Sequence, residues 1–174
     1  FHRERLAGFA EAMVDSTRDA LAEFKRRAGE TVDVARAMSR LALRIVGRTL
    51  FSAEIADEAG AIQRAVHFAN EFGESAFFLP LWVPTLKNRE LKRALAVFDD
   101  LVARMIADRR EATARGEAPG DLLAMLMSVR DEDTGERMSD RQLRDEALTL
   151  IIGGHETTAT VLDWTFYLLA RHPE

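Results

Sequence analysis

The stretch Thr149-Leu150-Ile151-Ile152-Gly153-Gly154-His155-Glu156-Thr157-Thr158-Ala159 decides the fold of this chain. It lies within a segment that runs from Ser139 to Arg171 without a proline. As one helix, that segment would be about 50 Å long at roughly 1.5 Å per residue. Consecutive glycines inside a helix cost about 1 kcal/mol each relative to alanine, so something must offset them. Missing side chains allow a large flat group or a neighbouring helix to approach the backbone, or they allow a local bulge in the helix.

Two polar side chains accompany the glycines. Thr157 lies four residues after Gly153, so its hydroxyl can bond the Gly153 carbonyl oxygen. Leu150, Gly153, Thr157 and Val161 share one helix face, and Glu156 lies beside it. A buried hydroxyl next to a buried acid, beside a dent in an apolar helix, is a plausible proton route. The alternative is that the small residues only permit close helix packing and that threonine fills space.

Apolar residues at helical spacing predict an all-α fold in which amphipathic helices pack around one long central helix. The last helix begins with a capping box of Ser139 and Gln142. From Ala147 onward it is apolar nearly all round, which is typical of a helix that crosses the interior of a larger body. Six helices are predicted. The first has its apolar stripe at 6–24 and ends before Gly29, the second covers 34–46 and the third about 57–72. The fourth has its stripe at 91–106, ends in the basic turn Arg109-Arg110 and stops near Gly116, and the last two cover 121–128 and 139–171.

The segment 73–88 is an unusually apolar loop that contains Phe77, Phe78 and Trp82. Such a loop should not face water alone. It is expected either to pack on the core or to form a lid over a ligand cavity.

Composition narrows the classes of function. The chain of 174 residues has 24 basic and 29 acidic residues and a net charge of −5, which argues against a nucleic-acid partner. With no cysteine, the chain has no disulfide, cysteine-bound metal or thiol nucleophile, which fits a cytoplasmic location. No stretch approaches the roughly 20 apolar residues of a membrane span.

Competing site motifs fail on their spacing. His155-Glu156 begins like the zinc signature His-Glu-x-x-His, but Ala159 stands at the second histidine position, so no metal site is predicted. Gly153-Gly154 does not follow a strand, so it is not a phosphate loop. Surface or capping positions are expected for all four histidines, His2, His67, His155 and His172.

These features together resemble the cytochrome P450 family, in its soluble bacterial form. Gly153-Gly154-His155-Glu156-Thr157-Thr158 is similar to the motif of that family's central oxygen-binding helix. The resemblance covers essentially the whole chain, in order. It also includes Phe1-His2-Arg3, Trp82-x-Pro84, Ile106-Ala107-Asp108-Arg109-Arg110, Asp121-Leu122-Leu123 and the turn from Asp131 to Glu136.

The resemblance implies that residues 1–174 are an internal portion of one P450 domain, its helices D to I. The family's N-terminal sheet and the haem-thiolate loop with its Glu-x-x-Arg helix would lie outside this sequence. Since the chain has no cysteine, it cannot itself supply the thiolate that binds the iron. We therefore expect the 174-residue chain alone to be inactive.

The resemblance also assigns roles to single residues. Thr157 would hydrogen-bond oxygen or water above the haem, and Glu156 would feed protons to it through solvent, so these two are the catalytic candidates. The other residues implied to contact haem lie along the same helix or at the start of the chain: Gly153, Gly154, Thr158 and Phe1. Ile152, Phe77 and Phe78 would contact the substrate.

The implied reaction is haem-dependent monooxygenation of an apolar substrate, such as a fatty acid. Electrons would come from NAD(P)H through a ferredoxin or flavin reductase. A homo-oligomer or helix-swapped dimer is expected for the chain alone, because its long apolar helix would lack neighbours. The alternative function is a non-catalytic helical bundle that binds an apolar ligand or a partner helix.

Overall fold

A computed structural model describes residues 3–74, 80, 82–117, 120–132 and 134–173, with the backbone alone at 3–7, 67 and 69–74. Within these residues the chain forms six α-helices, one 3₁₀ turn (Ala56–Glu58) and no extended strand. The helices are α1 (Arg3–Arg26), α2 (Val34–Leu50), α3 (Ala59–Glu74), α4 (Leu86–Ala114), α5 (Leu122–Ser128) and α6 (Asp140–Arg171). The predicted all-α class is confirmed.

Side chains at the helix starts satisfy backbone N–H groups that have no partner within the helix. Asp33 accepts from the Arg36 backbone N–H at the start of α2. Ser139 and Gln142 form the predicted capping box at the start of α6, each accepting from the other's backbone N–H. These local interactions explain why the starts of α2 and α6 follow closely from the sequence.

The core forms where α2 packs along α6 and α3 packs along α4, with α1 lying against α2. Fully buried side chains from four of these helices and from the turn after α2 fill it: Leu43, Phe51, Ile62, Val102 and Ile151. One stripe of α6 faces this core at a spacing of four residues: Leu143, Ala147, Ile151, His155 and Ala159. The stripe fixes how α6 is rotated about its own axis.

Much of the second half of α6 is exposed among the described residues, so its crossing of a larger body stays a prediction. Val161, Trp164 and Leu169 are 65%, 60% and 62% exposed. Uniform apolarity indicates that a helix has neighbours on every side, but it cannot say which segments supply them. None of the elements in the described ranges covers this part of α6.

A buried ion pair joins α4 to α5. The Arg109 guanidinium contacts the Asp121 carboxylate and also donates to the Phe51 carbonyl oxygen at 2.8 Å. Asp121 is the N-cap of α5 and accepts from the Ala124 backbone N–H at 2.9 Å. Arg109 therefore ties three separate segments together.

Candidate functional site

The two central glycines lie inside an uninterrupted α-helix. The Thr157 hydroxyl donates to the Gly153 carbonyl oxygen at 2.7 Å, as the spacing predicted. Because the hydroxyl proton is engaged, the lone pairs on Thr157 Oγ1 remain able to accept a hydrogen bond from outside the helix. Thr157 and Gly153 are both exposed, and we call their side of α6 the open face.

The two glycines serve different purposes. A Cβ atom built at Gly153 meets no atom within 4 Å outside its own helix backbone. A Cβ atom built at Gly154 would lie 3.0 Å from Val46 Cγ2 on α2. Gly154 thus permits close packing of α2 on α6, whereas Gly153 leaves bare backbone on the open face.

His155 is buried, so the prediction of a surface or capping position is wrong for this residue. It is 3% exposed, and its Nε2 shares a hydrogen bond of 2.8 Å with Ser39 Oγ on α2. Burial lowers the pKa of His155, and the nearby Glu156 charge opposes this to a smaller extent. The imidazole is therefore neutral at pH 7, where it anchors α6 to α2.

Glu156 lies between the buried stripe and the open face. It is half-buried and lines a cavity of about 590 Å³ that is bounded by α2, α3 and α6. Thr157 follows it by 100° around the helix, as does each successive residue. An acid that borders the cavity is therefore adjacent to a hydroxyl that borders the open face.

The other residues predicted to contact haem or substrate do not all lie on the open face. Ile152 is half-buried and packs against the hydrophobic core. Thr158 is exposed but projects about 100° away from Thr157. Phe1, Phe77 and Phe78 lie outside the described residues. The described part of their loop exposes Trp82, which is 80% accessible.

Comparison with known proteins identifies the class. The family model for cytochrome P450 matches residues 1–174, which is the whole chain. The chain belongs to the cytochrome P450 family.

The relatives that it resembles are bacterial oxygenases. It is 35% identical over 181 residues to cyclooctat-9-en-7-ol 5-monooxygenase of Streptomyces melanosporofaciens, covering 100% of this chain and 38% of that protein. It is 34% identical over 182 residues to pentalenene oxygenase of Streptomyces avermitilis, again covering 100% and 38%. The chain therefore spans little more than a third of the length of these relatives.

A solved structure supports the same fold. The crystal structure of the cytochrome P450DA heme domain superimposes with a TM-score of 0.76 at 29% sequence identity, covering 99% of this chain and 38% of that one. In the part of the chain that the structure describes, no helix could cross a membrane. Across the same residues, no three His, Cys, Asp or Glu side chains form a group that could hold a metal ion.

The family implies haem, and the open face fits it. The backbone is bare at Gly153, and a Cβ atom built there meets nothing within 4 Å, so a planar macrocycle has room to approach this face. The residues that would lie against the group are Gly153 and Thr157. Gly154 is turned toward Val46 on α2, so its predicted contact with haem finds no support in this geometry.

Proposed function

We propose that this chain is the central helical part of a haem-dependent monooxygenase that inserts one oxygen atom of O₂ into an apolar substrate. The observation that carries the proposal is the open face of α6, where Gly153 leaves the backbone bare and the Thr157 hydroxyl lies one turn farther on. When bound, the haem supplies the oxygen activation that amino-acid side chains cannot perform. Both Streptomyces relatives are named as oxygenases.

The residues of this chain would orient the reaction and supply protons. Glu156 would hold a proton at its carboxyl group on the cavity side and pass it to water that Thr157 Oγ1 holds by accepting a hydrogen bond. Phe1 and Thr158 remain proposed contacts at the haem edge, and Ile152, Phe77 and Phe78 remain proposed contacts to substrate. The substrate class stays apolar, in keeping with relatives named for cyclooctat-9-en-7-ol and pentalenene.

The remainder of the domain belongs to the same proposal. It would contribute the N-terminal sheet and the cysteine loop, and it would cover the apolar surface of α6 that is exposed here. Alone, the chain would self-associate through that surface, as a homo-oligomer or helix-swapped dimer. Electrons would come from NAD(P)H through a ferredoxin or flavin reductase in the bacterial cytoplasm.

The test of the proposal is an absorbance spectrum of the full-length protein after reduction and treatment with carbon monoxide. Thiolate-bound haem is expected to give a red-shifted Soret band. A full-length protein that takes up no haem would overturn the proposal. It would favour instead a non-catalytic helical bundle that binds an apolar ligand or a partner helix.

Replacing Thr157 by alanine in the full-length protein should separate electron use from product formation. With the hydroxyl gone, water on the open face loses a hydrogen-bond partner, and proton supply should fall by roughly a hundredfold or more. NAD(P)H would still be consumed, but hydrogen peroxide would replace much of the product. The measurement is product and peroxide formed per NAD(P)H oxidised.

Thr165 and Thr149 provide matched controls on the same helix. Each donates its hydroxyl to the carbonyl oxygen four residues earlier, at 2.8 Å and 2.9 Å, as Thr157 does. Replacing either by alanine removes the same kind of bond away from Gly153. Product yields that fall equally in all three variants would show that only helix structure, and not proton supply, was changed.

A further inference from the structure

We propose that Asp163 is a second proton-holding carboxyl on α6, which takes up protons from solvent and passes them to Glu156. The inference rests on the proposed function. It concerns a residue that lies outside the Gly153–Thr158 motif and two turns farther along the helix.

The two carboxyl groups share one helix face and one cavity. Seven residues separate Glu156 from Asp163, close to two full turns, so both side chains project in nearly the same direction, about 10 Å apart along the axis. Both line the cavity of about 590 Å³ between α2, α3 and α6. Since one water occupies about 30 Å³ in the liquid, this cavity has room for a chain of waters between the two carboxyl groups.

One oxygen of Asp163 is in an unusual position. Its Oδ1 atom is buried and has no hydrogen-bond partner among the described residues. A buried carboxylate oxygen without a donor is costly, whereas the neutral carboxyl leaves no charge on that oxygen. The geometry therefore favours the neutral form of this side chain.

The surrounding charges add to this preference. Burial raises the pKa of Asp163, and repulsion from Asp33, the N-cap of α2, raises it further. The other charged groups around the cavity are Arg36 on α2, Arg64 on α3 and Glu156 on α6, and the buried His155 is neutral. The two guanidiniums are exposed to solvent and do not reverse the upward direction of the pKa.

The proton transfer that follows is balanced. The Asp163 carboxyl gives its proton to a cavity water, a proton moves from that water chain to the Glu156 carboxylate, and Asp163 is left as a carboxylate. Solvent at the mouth of the cavity then returns a proton to Asp163. No oxidant or reductant is needed.

The first test uses protonation and does not depend on turnover. In the full-length protein, infrared difference spectra between the parent and Asp163→Asn should show a protonated-carboxyl band that persists above the ordinary aspartate pKa of about 3.9. The difference between the parent and Glu146→Gln, a change of an exposed carboxylate elsewhere on α6, should show no such persistent band. A band that is identical in the parent and in Asp163→Asn would overturn the inference.

The pH dependence of the free energy of unfolding also tests whether Asp163 is protonated in the folded state. Because the pKa of Asp163 is raised, the folded state holds this proton more tightly than the unfolded state does. The free energy of unfolding therefore falls as pH rises from the ordinary aspartate value through the raised one. Asp163→Asn lacks this loss, so it should be more stable than the parent at neutral pH, with the gap closing at low pH. A gap that does not change with pH would contradict the inference.

The second test is the pH profile of coupling. Product formed per NAD(P)H should decline in the parent as pH rises through the raised pKa of Asp163. In Asp163→Asn it should be lower by about twofold or more and lack that decline. Asp33→Asn keeps the helix cap, because asparagine caps as well as aspartate, and should move the decline to lower pH. If Asp163 has only a structural role, the two variants will show the same dependence of coupling on pH as the parent. That result would overturn the inference.

The two proposals fail separately. If the reduced, carbon monoxide-treated protein lacks the red-shifted band, the proposed function is wrong. If that band is present and the carboxyl band does not depend on Asp163, only the inference about Asp163 is wrong.

Discussion

Gly153→Val in the full-length protein should weaken haem binding by roughly ten- to a hundredfold while leaving the fold intact. Three added carbon atoms would occupy the open face, and overpacking of this size costs about 1–3 kcal/mol, where 1.4 kcal/mol is a factor of ten. The helix itself should not suffer, because nothing lies within 4 Å of a Cβ atom at Gly153 and valine forms helix better than glycine. Haem titration followed by absorbance measures the first effect, and thermal unfolding without haem measures the second.

The neighbouring glycine supplies the contrast. Gly154→Val would press against Val46 and should lower the Tm of the haem-free protein. Gly153→Ala, with one added carbon, should fall between the parent and the valine variant in haem affinity. If Gly153→Val bound haem as tightly as the parent, bare backbone at this position would not be needed and the assignment of the open face would be wrong.

Arg109→Ala should lower the free energy of unfolding by about 3–5 kcal/mol. Both side chains of the Arg109–Asp121 pair are nearly fully buried, at 8% and 3% exposure, so removing the guanidinium leaves an uncompensated buried carboxylate. The Phe51 carbonyl oxygen also loses its donor. Urea denaturation of the full-length protein would measure the loss.

Arg110 is the matched control, one residue farther along α4. It pairs with Asp140, but the two side chains are 54% and 65% exposed, and such pairs contribute about 0–1 kcal/mol. Arg110→Ala should therefore change stability only slightly. Equal losses for the two variants would mean that burial of the Arg109–Asp121 pair has no special importance.

Most of the fold could be predicted from local sequence patterns. Helical spacing predicted six helices, and the caps placed the starts of α2 and α6, because Asp33, Ser139 and Gln142 act on backbone groups within three residues of themselves. The start of α4 was not placed, since it begins at Leu86, inside the segment predicted to be a loop. The Thr157 bond to Gly153 was predictable for the same reason. Burial was less predictable, since it depends on neighbours that are distant in sequence, and the exposed second half of α6 is the clearest example.

The site was only partly predictable. Nothing in the pair Gly153-Gly154 says which glycine faces α2, because both answers satisfy the same spacing. His155 did carry a signal, since it follows Leu143, Ala147 and Ile151 at intervals of four, but its partner Ser39 is 116 positions away. Arg109 resembled an ordinary basic helix end, and only the fold turns it inward to Asp121.

The helix α6 lies between the cavity and the open face, and this position limits how the segment can change in length. Inserting or deleting one residue between Ser139 and Gly153 would turn everything after it by about 100° about the axis. Glu156 would then turn away from the cavity, and Gly153 would turn away from the open face. Insertions and deletions should therefore be tolerated in the turn closed by Asp131 and Gly135, ahead of the capping box, and not within the helix.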